Sequence, residues 1–402
     1  MKKIKNVTIK NFKILKDVSL ELDNLTLITG VNSSGKSTFI QSLLLLKQNQ
    51  ELLQRISNNI LLGEASKKSI SRITDDLNLR NKVLDNLNKD LNNAINLNGS
   101  FTKLGTKKDF FNQTVYGEDI EIEIETTHFG KRLYICNNEN LSVNIQSTEQ
   151  MPIESLINLF SEEFQYINTD RVQPNNTYTL SEEEIRKNLI GINGEYTAHY
   201  LDENRHKTLN IKELKHKNAQ TEQLLENVSL WLNEISNGIE VLVKKYPDIQ
   251  EVSLSYKYAF GDDITNEFKP INVGFGITYV LPIIVAILKA KPDDLLIIEN
   301  PESHLHPAGQ SKIAELCAVA SANGVQIIVE THSDHFLNGV RVAIKKGKLK
   351  PKDSRVYFFE KEDKTMSTKV HKLEIDKDGR INTDWPKGFF DEWDNKLNEL
   401  IW

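Results

Sequence analysis

The stretch Gly30-Val31-Asn32-Ser33-Ser34-Gly35-Lys36-Ser37 matches the pattern G-x-x-x-x-G-K-[ST] at every position. That spacing serves a definite chemistry. Glycines let the backbone wrap until successive N–H groups point at phosphate oxygens, and the helix that follows presents its positive end. Lys36 brings a charge to the outer phosphates, and the Ser37 hydroxyl binds a magnesium ion. Asn32, Ser33, Ser34 and Thr38 complete the cradle. The expected ligand is ATP with Mg2+.

Two further groups of residues stand in the last third of the chain. Leu295-Leu296-Ile297-Ile298-Glu299 is an apolar run ending in a carboxylate, which can hold the magnesium ion directly or through water. Val325 to Val329 is a second such run, and it leads into Glu330-Thr331-His332-Ser333. A histidine just after a buried strand can reach the γ-phosphate of a nucleotide held at the strands' C-terminal edge. Between the two lies Asn300-Pro301-Glu302-Ser303-His304-Leu305-His306-Pro307. His304 and His306, with Glu302 nearby, invite a metal reading. Residues two apart diverge on a helix and share a face on a strand, but no third ligand is evident, so a phosphate site is the stronger interpretation.

The elements that must position these groups follow from periodicity. Three strands precede the glycine loop, the last being Leu25-Thr26-Leu27-Ile28, and Thr38 to Gln50 is a helix apolar on most sides, as in a helix packed on a sheet. From about 51 to 110 the composition shifts to Asn, Leu, Lys and Asp. Leu84, Leu87, Leu91 and Ile95 fall there at helical spacing, which predicts a helical insertion. Residues 119–147 alternate as an antiparallel meander, helices follow between 151 and 235, and strands resume near 239–245 and 251–258. The final third predicts α/β order: a helix at 275–288, strands at 295–298 and 325–329, helices at 310–322 and 335–345, two strands and a last helix. The sheet that holds the nucleotide must therefore be built from both ends of the chain. The expected organisation is a head segment with the P-loop at 1–50, a helical insertion at 51–118, and a β-meander and helical region at 119–265. A second head segment at 266–346 and a C-terminal cap at 347–402 complete it.

Bulk numbers bound the class. With 402 residues, 39% hydrophobic and 26% charged, the chain is expected to form one large or two ordinary globular domains. No run of about 18 apolar residues occurs, and the alternating N-terminus lacks the apolar stretch of a secretory signal. Two cysteines, Cys136 and Cys317, stand in no metal-ligand spacing and read as buried fillers in a reducing cytoplasm. A net charge of −6 argues against a wholesale nucleic-acid coat, although 50 Lys and Arg leave room for a local basic patch.

Taken together, the loop Gly30 to Ser37, the run Ile298 to Pro307 and Thr331-His332-Ser333 resemble the ABC-type ATPases of the RecF, SMC and OLD kind, as does the opening Ile9-Lys10-Asn11-Phe12-Lys13. The tail Asp384-Trp385-Pro386-Lys387-Gly388-Phe389-Phe390-Asp391 is similar to that of small bacterial ATPases with a C-terminal domain of unknown function, often linked to antiphage defence. Asp170-Arg171 with Pro174 resembles an Arg-Pro element of these proteins. The resemblance implies an ABC-type P-loop ATPase head of α/β class, a mixed sheet with a helical insertion and an antiparallel β subdomain. It also implies a head-to-tail homodimer, or higher oligomer, closing on two ATP molecules. Each nucleotide would meet a signature segment of the partner, and Asn272 to Thr278, with Gly274, Gly276 and Thr278, fills that place here.

One departure bears on catalysis. The family's usual catalytic glutamate follows the magnesium carboxylate, and that position is Asn300. An amide cannot take a proton from the attacking water. Either Glu302 takes the role, beside His332 and Lys36, or hydrolysis is slow and the protein is a binding switch, with a separate effector such as a nuclease. The alternatives are an OLD-like ATPase with its own nuclease and a RecF-like DNA-binding ATPase. Glu360, Asp376 and Asp378 offer only a superficial nuclease cluster, since Ile375 to Gly379 reads as a turn.

Overall fold

In β4 the sequence IEIEIET alternates so strictly that its three isoleucines are buried while its glutamates face the other side. That pattern sets the first of three sheets. The structure, a computed structural model, describes residues 3–59, 94–115, 117–127, 130–147, 157–261, 263–362, 365 and 367–401. In chain order the strands are β1 (Ile4–Phe12), β2 (Leu15–Glu21), β3 (Leu25–Gly30), β4 (Ile120–Thr126), β5 (Lys131–Cys136), β6 (Val143–Ser147), β7 (Gln165–Ile167) and β8 (Thr177–Thr179). They continue with β9 (Ile239–Tyr246), β10 (Glu251–Phe260), β11 (Asp263–Ile264), β12 (Leu295–Glu299), β13 (Gln326–Glu330), β14 (Ser354–Glu362) and β15 (Ser367–Leu373). The helices are α1 (Lys36–Gln48), α2 (Lys107–Phe110), α3 (Glu182–Arg186), α4 (Thr197–Asn204), α5 (Leu224–Asn233), α6 (Phe275–Lys289), α7 (Pro307–Ala322), α8 (Asp334–Lys345) and α9 (Glu392–Ile401).

The chain divides into two units. The first comprises Met1–Glu21, Ser33–Ser161 and Lys361–Lys369. Its sheet has the order β2-β1-β4-β5-β6 and is antiparallel throughout. Lys10 lies opposite Glu121 in register and pairs with it at 2.9 Å, a cross-strand ion pair that fixes the outer face. Beyond α1, residues 50–59 are also helical. The seam Leu84, Leu87 and Leu91 lies outside the described residues. Residues 94–106, expected within a helical insertion, instead form bridges and bends up to the four-residue α2. Asparagine amides explain the difference. Asn49 Oδ1 accepts the Asn96 N–H (2.8 Å), and the Asn98 side chain bonds both N–H and C=O of Gly105, offering the backbone partners that a helix would otherwise supply.

The second unit comprises Leu22–Asn32, Glu162–Glu360 and Val370–Trp402. Its main sheet has the order β15-β14-β3-β13-β12-β7, and β14, β3, β13, β12 and β7 are parallel. Both ends of the chain supply strands to it, as their apolar runs predict. β12 and β13 are buried along their whole length, as strands covered on both faces must be. α6 is buried from Ile277 to Lys289 and shares one core with α7 and α8. A second sheet places β10 between β9 and β8, with β11 at its end. Cys136 and Cys317 are buried free thiols, each pushed by burial up to about 12. Among the described residues no helix is long and apolar enough to cross a membrane.

The C-terminal segment is anchored by Phe389, which is fully buried with its ring 5.4 Å from Phe358, 4.7 Å from Trp385 and 4.8 Å from Phe390. Removing a ring from such a site leaves a cavity, so Phe389→Ala is expected to destabilise the second unit by about 3–5 kcal/mol. Chemical denaturation reads this directly, and an unchanged midpoint would mean that the segment does not depend on this anchor.

Candidate functional site

The loop after β3 is shaped by three left-handed residues, Gly30 (φ 147), Ser33 (φ 59) and Gly35 (φ 102). Two of them admit only glycine. A Cβ on Gly30 would lie 2.2 Å from the Phe359 carbonyl oxygen of the neighbouring strand. One on Gly35 would meet the Thr368 hydroxyl at 2.7 Å and Leu15 at 2.8 Å. Alternation of left- and right-handed residues turns consecutive N–H groups to one side, the shape that binds an anion. Thr368, which sequence reading did not single out, donates its hydroxyl to the Ser34 carbonyl at 2.7 Å and braces the loop. Ser34 and Lys36 are buried, Thr38 is half-buried, and Asn32, Ser33 and Ser37 are exposed.

Within the second unit, β3, β13 and β12 deliver Gly30, Glu330 and Glu299 to one edge of the sheet. Glu299 lies opposite Glu330 in register, and Glu330 opposite Ile28. Ligands in open parallel sheets bind outside this carboxyl edge. His332 and Gly30 line one cavity of about 260 Å³ there, together with Phe358 and the C-terminal residues Gly388 to Glu392.

Glu299 is buried, and that burial lifts its carboxyl above the ordinary value against the pull of Thr169, Tyr166 and the Arg171 charge. Thr169 donates its hydroxyl to Glu299 Oε2 at 3.0 Å and receives the Asn300 amide at 3.3 Å. A hard carboxylate oxygen in so dry a position suits a divalent cation, which would restore its charge. Asn300 adopts φ 44, its N–H bonded to the Glu330 carbonyl at 2.8 Å. Arg171 Nη2 donates to the carbonyls of both Glu299 and Asn300, the second at 3.0 Å. Burial lowers the Arg171 guanidinium to about 10, so it stays charged.

Glu302 has both carboxylate oxygens engaged. The Thr331 hydroxyl donates to Oε2 at 2.8 Å and the His332 N–H to Oε1 at 2.6 Å. Burial again holds this carboxyl above its ordinary value, with the two donors and Arg171 pulling down. Ser333 then caps α8 through the Phe336 N–H at 2.9 Å. The run Glu330 to Ser333 is therefore a rigid turn that sets His332 on the cavity.

The glycines before α6 divide in environment. Gly274 is exposed, and a Cβ there meets nothing within 4 Å. Gly276 faces inward, where a Cβ would lie 2.3 Å from the His304 carbonyl oxygen, and Thr278 is buried beside the Tyr256 hydroxyl. His304 stacks edge-on against Phe275 and Tyr279, at 5.0 and 4.9 Å, and His306 caps α7 through the Ala308 N–H. Elsewhere, Glu182, His199 and Glu203 come within metal-ligand reach of one another. Lys245 occupies that centre, 3.0 Å from Glu182 and 2.6 Å from Glu203, and the Ser181 N–H donates to His199 Nδ1, which leaves the proton on Nε2.

Comparison with known proteins adds the family. The model of the AAA ATPase domain matches residues 1–337. The chain belongs to the AAA ATPase domain family. In this AAA ATPase, residues 349–400 match a second family, a protein of unknown function (DUF3696). None of the curated proteins compared matches. Among solved structures it is similar to an SMC head bound to the C-winged helix domain of ScpA, at 14% identity and TM-score 0.49, over 92% of this chain and 98% of that one. The Smc head of Pyrococcus furiosus with an extended coiled coil, bound to the C-terminal domain of ScpA, gives 13% and 0.47 over the whole of both chains. The SMC head of Thermotoga maritima gives 10% and 0.41 over 93% of this chain and 100% of that one. Membership makes it an ATP-binding ATPase, and its P-loop stands within the matched residues.

Proposed function

We propose that this AAA ATPase is a nucleotide-gated homodimeric switch with slow hydrolysis. The observation that carries this reading is the shared carboxyl edge of β3, β13 and β12, where Gly30 and His332 line one cavity and Glu299 ends the acid strand. The loop from Gly30 to Thr38 holds the triphosphate, with Lys36 on the outer phosphates. Magnesium is assigned to the Ser37 hydroxyl and the Glu299 carboxylate on the chemistry of the motif, and when bound it neutralises charge on the phosphates. His332 faces the γ-phosphate, and Glu302 serves hydrolysis by holding it there. Slow turnover follows from Asn300, whose amide cannot accept a proton where the usual base would stand.

The dimer closes at Gly274, whose exposed backbone leaves room for a partner's nucleotide, while Gly276 and Thr278 act from behind by fixing the start of α6. Bulk at this point tests the idea. Gly274→Trp is expected to leave monomer affinity for MgATP within about threefold while abolishing ATP-driven dimers in light scattering. Dimers formed as readily by the variant would remove the signature assignment.

A separate effector, such as a nuclease in antiphage defence, fits better than chemistry within the chain. Asp376 Oδ1 accepts the N–H groups of Asp378 and Arg380, and Glu360 pairs with His371 at 2.8 Å. These carboxylates serve a turn and a strand pair. The deciding experiment is MgATP titration of the purified protein, followed by light scattering and phosphate release. Tight binding that drives dimers with little release supports the switch. Fast multiple turnover by a monomer would sink it.

A further inference from the structure

Arg171 stands at the centre of this site without a task in the motif. It leaves β7, whose parallel pairing with β12 carries Thr169 and Arg171 alongside Glu299 and Asn300. One guanidinium nitrogen, Nη2, spans two consecutive carbonyls at the end of the acid strand. Those carbonyls flank the backbone that Asn300 holds at φ 44, in the left-handed region that asparagine enters more readily than other non-glycine residues. The guanidinium carbon lies 5.9 Å from the ring of Tyr279, on the first turns of α6. Tyr279 in turn touches Phe275 at 4.6 Å and His304 at 4.9 Å, and the His304 carbonyl is the group that Gly276 approaches. A chain of neighbouring groups thus runs from the acid end of β12 through Arg171 to the helix start that carries Gly274.

We propose that Arg171 is a positioning residue that holds the acid end of β12 and the amino end of α6 in one arrangement, so that hydrolytic geometry and the Gly274 edge are set together. The inference rests on the reading of the nucleotide site given above. A bland alternative is charge neutralisation, since Glu302 and Glu299 both act on the guanidinium. Shape argues against that alternative. A point charge would neutralise equally well, whereas the guanidinium sets the two N–H bonds of one fixed nitrogen on two consecutive carbonyls while its carbon stands over an aromatic ring, a geometry that a flexible ammonium does not hold by its own shape. Two of its donor nitrogens, Nε and Nη1, are buried with no acceptor among the described residues. Unpaired buried donors are uncommon where stability is the sole purpose.

Arg171→Lys, which keeps charge and length, decides between the two, with Arg171→Ala beside it. MgATP titration, single-turnover phosphate release and ATP-driven dimerisation are measured on wild type and both variants. The expected result is MgATP affinity within about threefold of wild type. Phosphate release should fall about a hundredfold in both variants, with dimers lost. Dilute guanidinium should restore part of the rate in the alanine variant and none in the lysine variant. A lysine variant with wild-type rate and dimers would reduce Arg171 to a charge and overturn the proposal. Loss of MgATP affinity in the lysine variant to the same extent as the rate would overturn it too, as a general structural defect. Should the alanine variant fail to fold, the lysine variant alone still decides. Wild-type protein that binds no MgATP would sink the site reading itself, an outcome seen in the same titration.

Discussion

Lys36→Ala is expected to weaken MgATP binding by at least about a hundredfold. A charge-assisted hydrogen bond contributes about 1.5–3 kcal/mol, and a P-loop lysine makes such bonds to the outer phosphates, so two of them correspond to two decades or more in affinity. The loop before it holds left-handed turns at Gly30, Ser33 and Gly35, the kind of backbone that forms an anion-binding concavity. On the proposed assignment Lys36 serves the outer phosphates alone, so its loss should leave AMP binding nearly unchanged, and that contrast separates a ligand effect from a misfolded loop. Calorimetric titration with both nucleotides makes the comparison. Equal affinity of the variant and wild type for MgATP would remove the P-loop assignment and everything built on it.

How much of this was legible in advance depended on what held each part together. The P-loop was legible because its conformation is a local matter: positive φ and close approach at Gly30 and Gly35 demand glycine at fixed places. β12 and β13 were legible because strands covered on both faces must be apolar along their length. β7 was not, since it has three residues and includes Gln165, whose buried side chain bonds the Gly191 carbonyl at 2.9 Å. A segment that short leaves no period to read. The site divides in the same way. Glu299 and His332 announce themselves at the ends of apolar runs, whereas the link between Glu302 and Thr331 joins residues on different elements, and nothing local forecasts it. The brace from Thr368 to Ser34 spans most of the chain and was equally hidden. Arg171 was visible as a residue type in the segment that runs from Asp170 to Pro174, but its task depends on two carbonyls at the end of a strand far along the chain.

The pair Glu302→Gln and Glu302→Ala separates two roles for one carboxylate. Each oxygen accepts one bond, from Thr331 and from the His332 N–H. A glutamine can keep both contacts. Its Oε1 accepts from His332, and its amide donates to the Thr331 hydroxyl, which can rotate to receive it. Alanine keeps neither and frees the turn that carries His332. If Glu302 holds His332 in place, single-turnover phosphate release by the glutamine variant should stay within about threefold of wild type, and the alanine variant should fall by about a hundredfold, the cost of a misplaced group. If Glu302 takes the proton from water, both variants lose release together, because an amide cannot serve as a base. The amide also avoids burying a charge, the cost that lifts the Glu302 carboxyl above its ordinary value. A carboxyl raised in this way contributes stability at low pH that is lost as pH climbs past the ordinary carboxylate range. Near neutral pH the glutamine variant should therefore melt no lower than wild type, so a loss of release in it could not be blamed on unfolding. Parallel collapse of both variants would return Glu302 to the role of base and leave Asn300 as an innocent substitution in an active hydrolase.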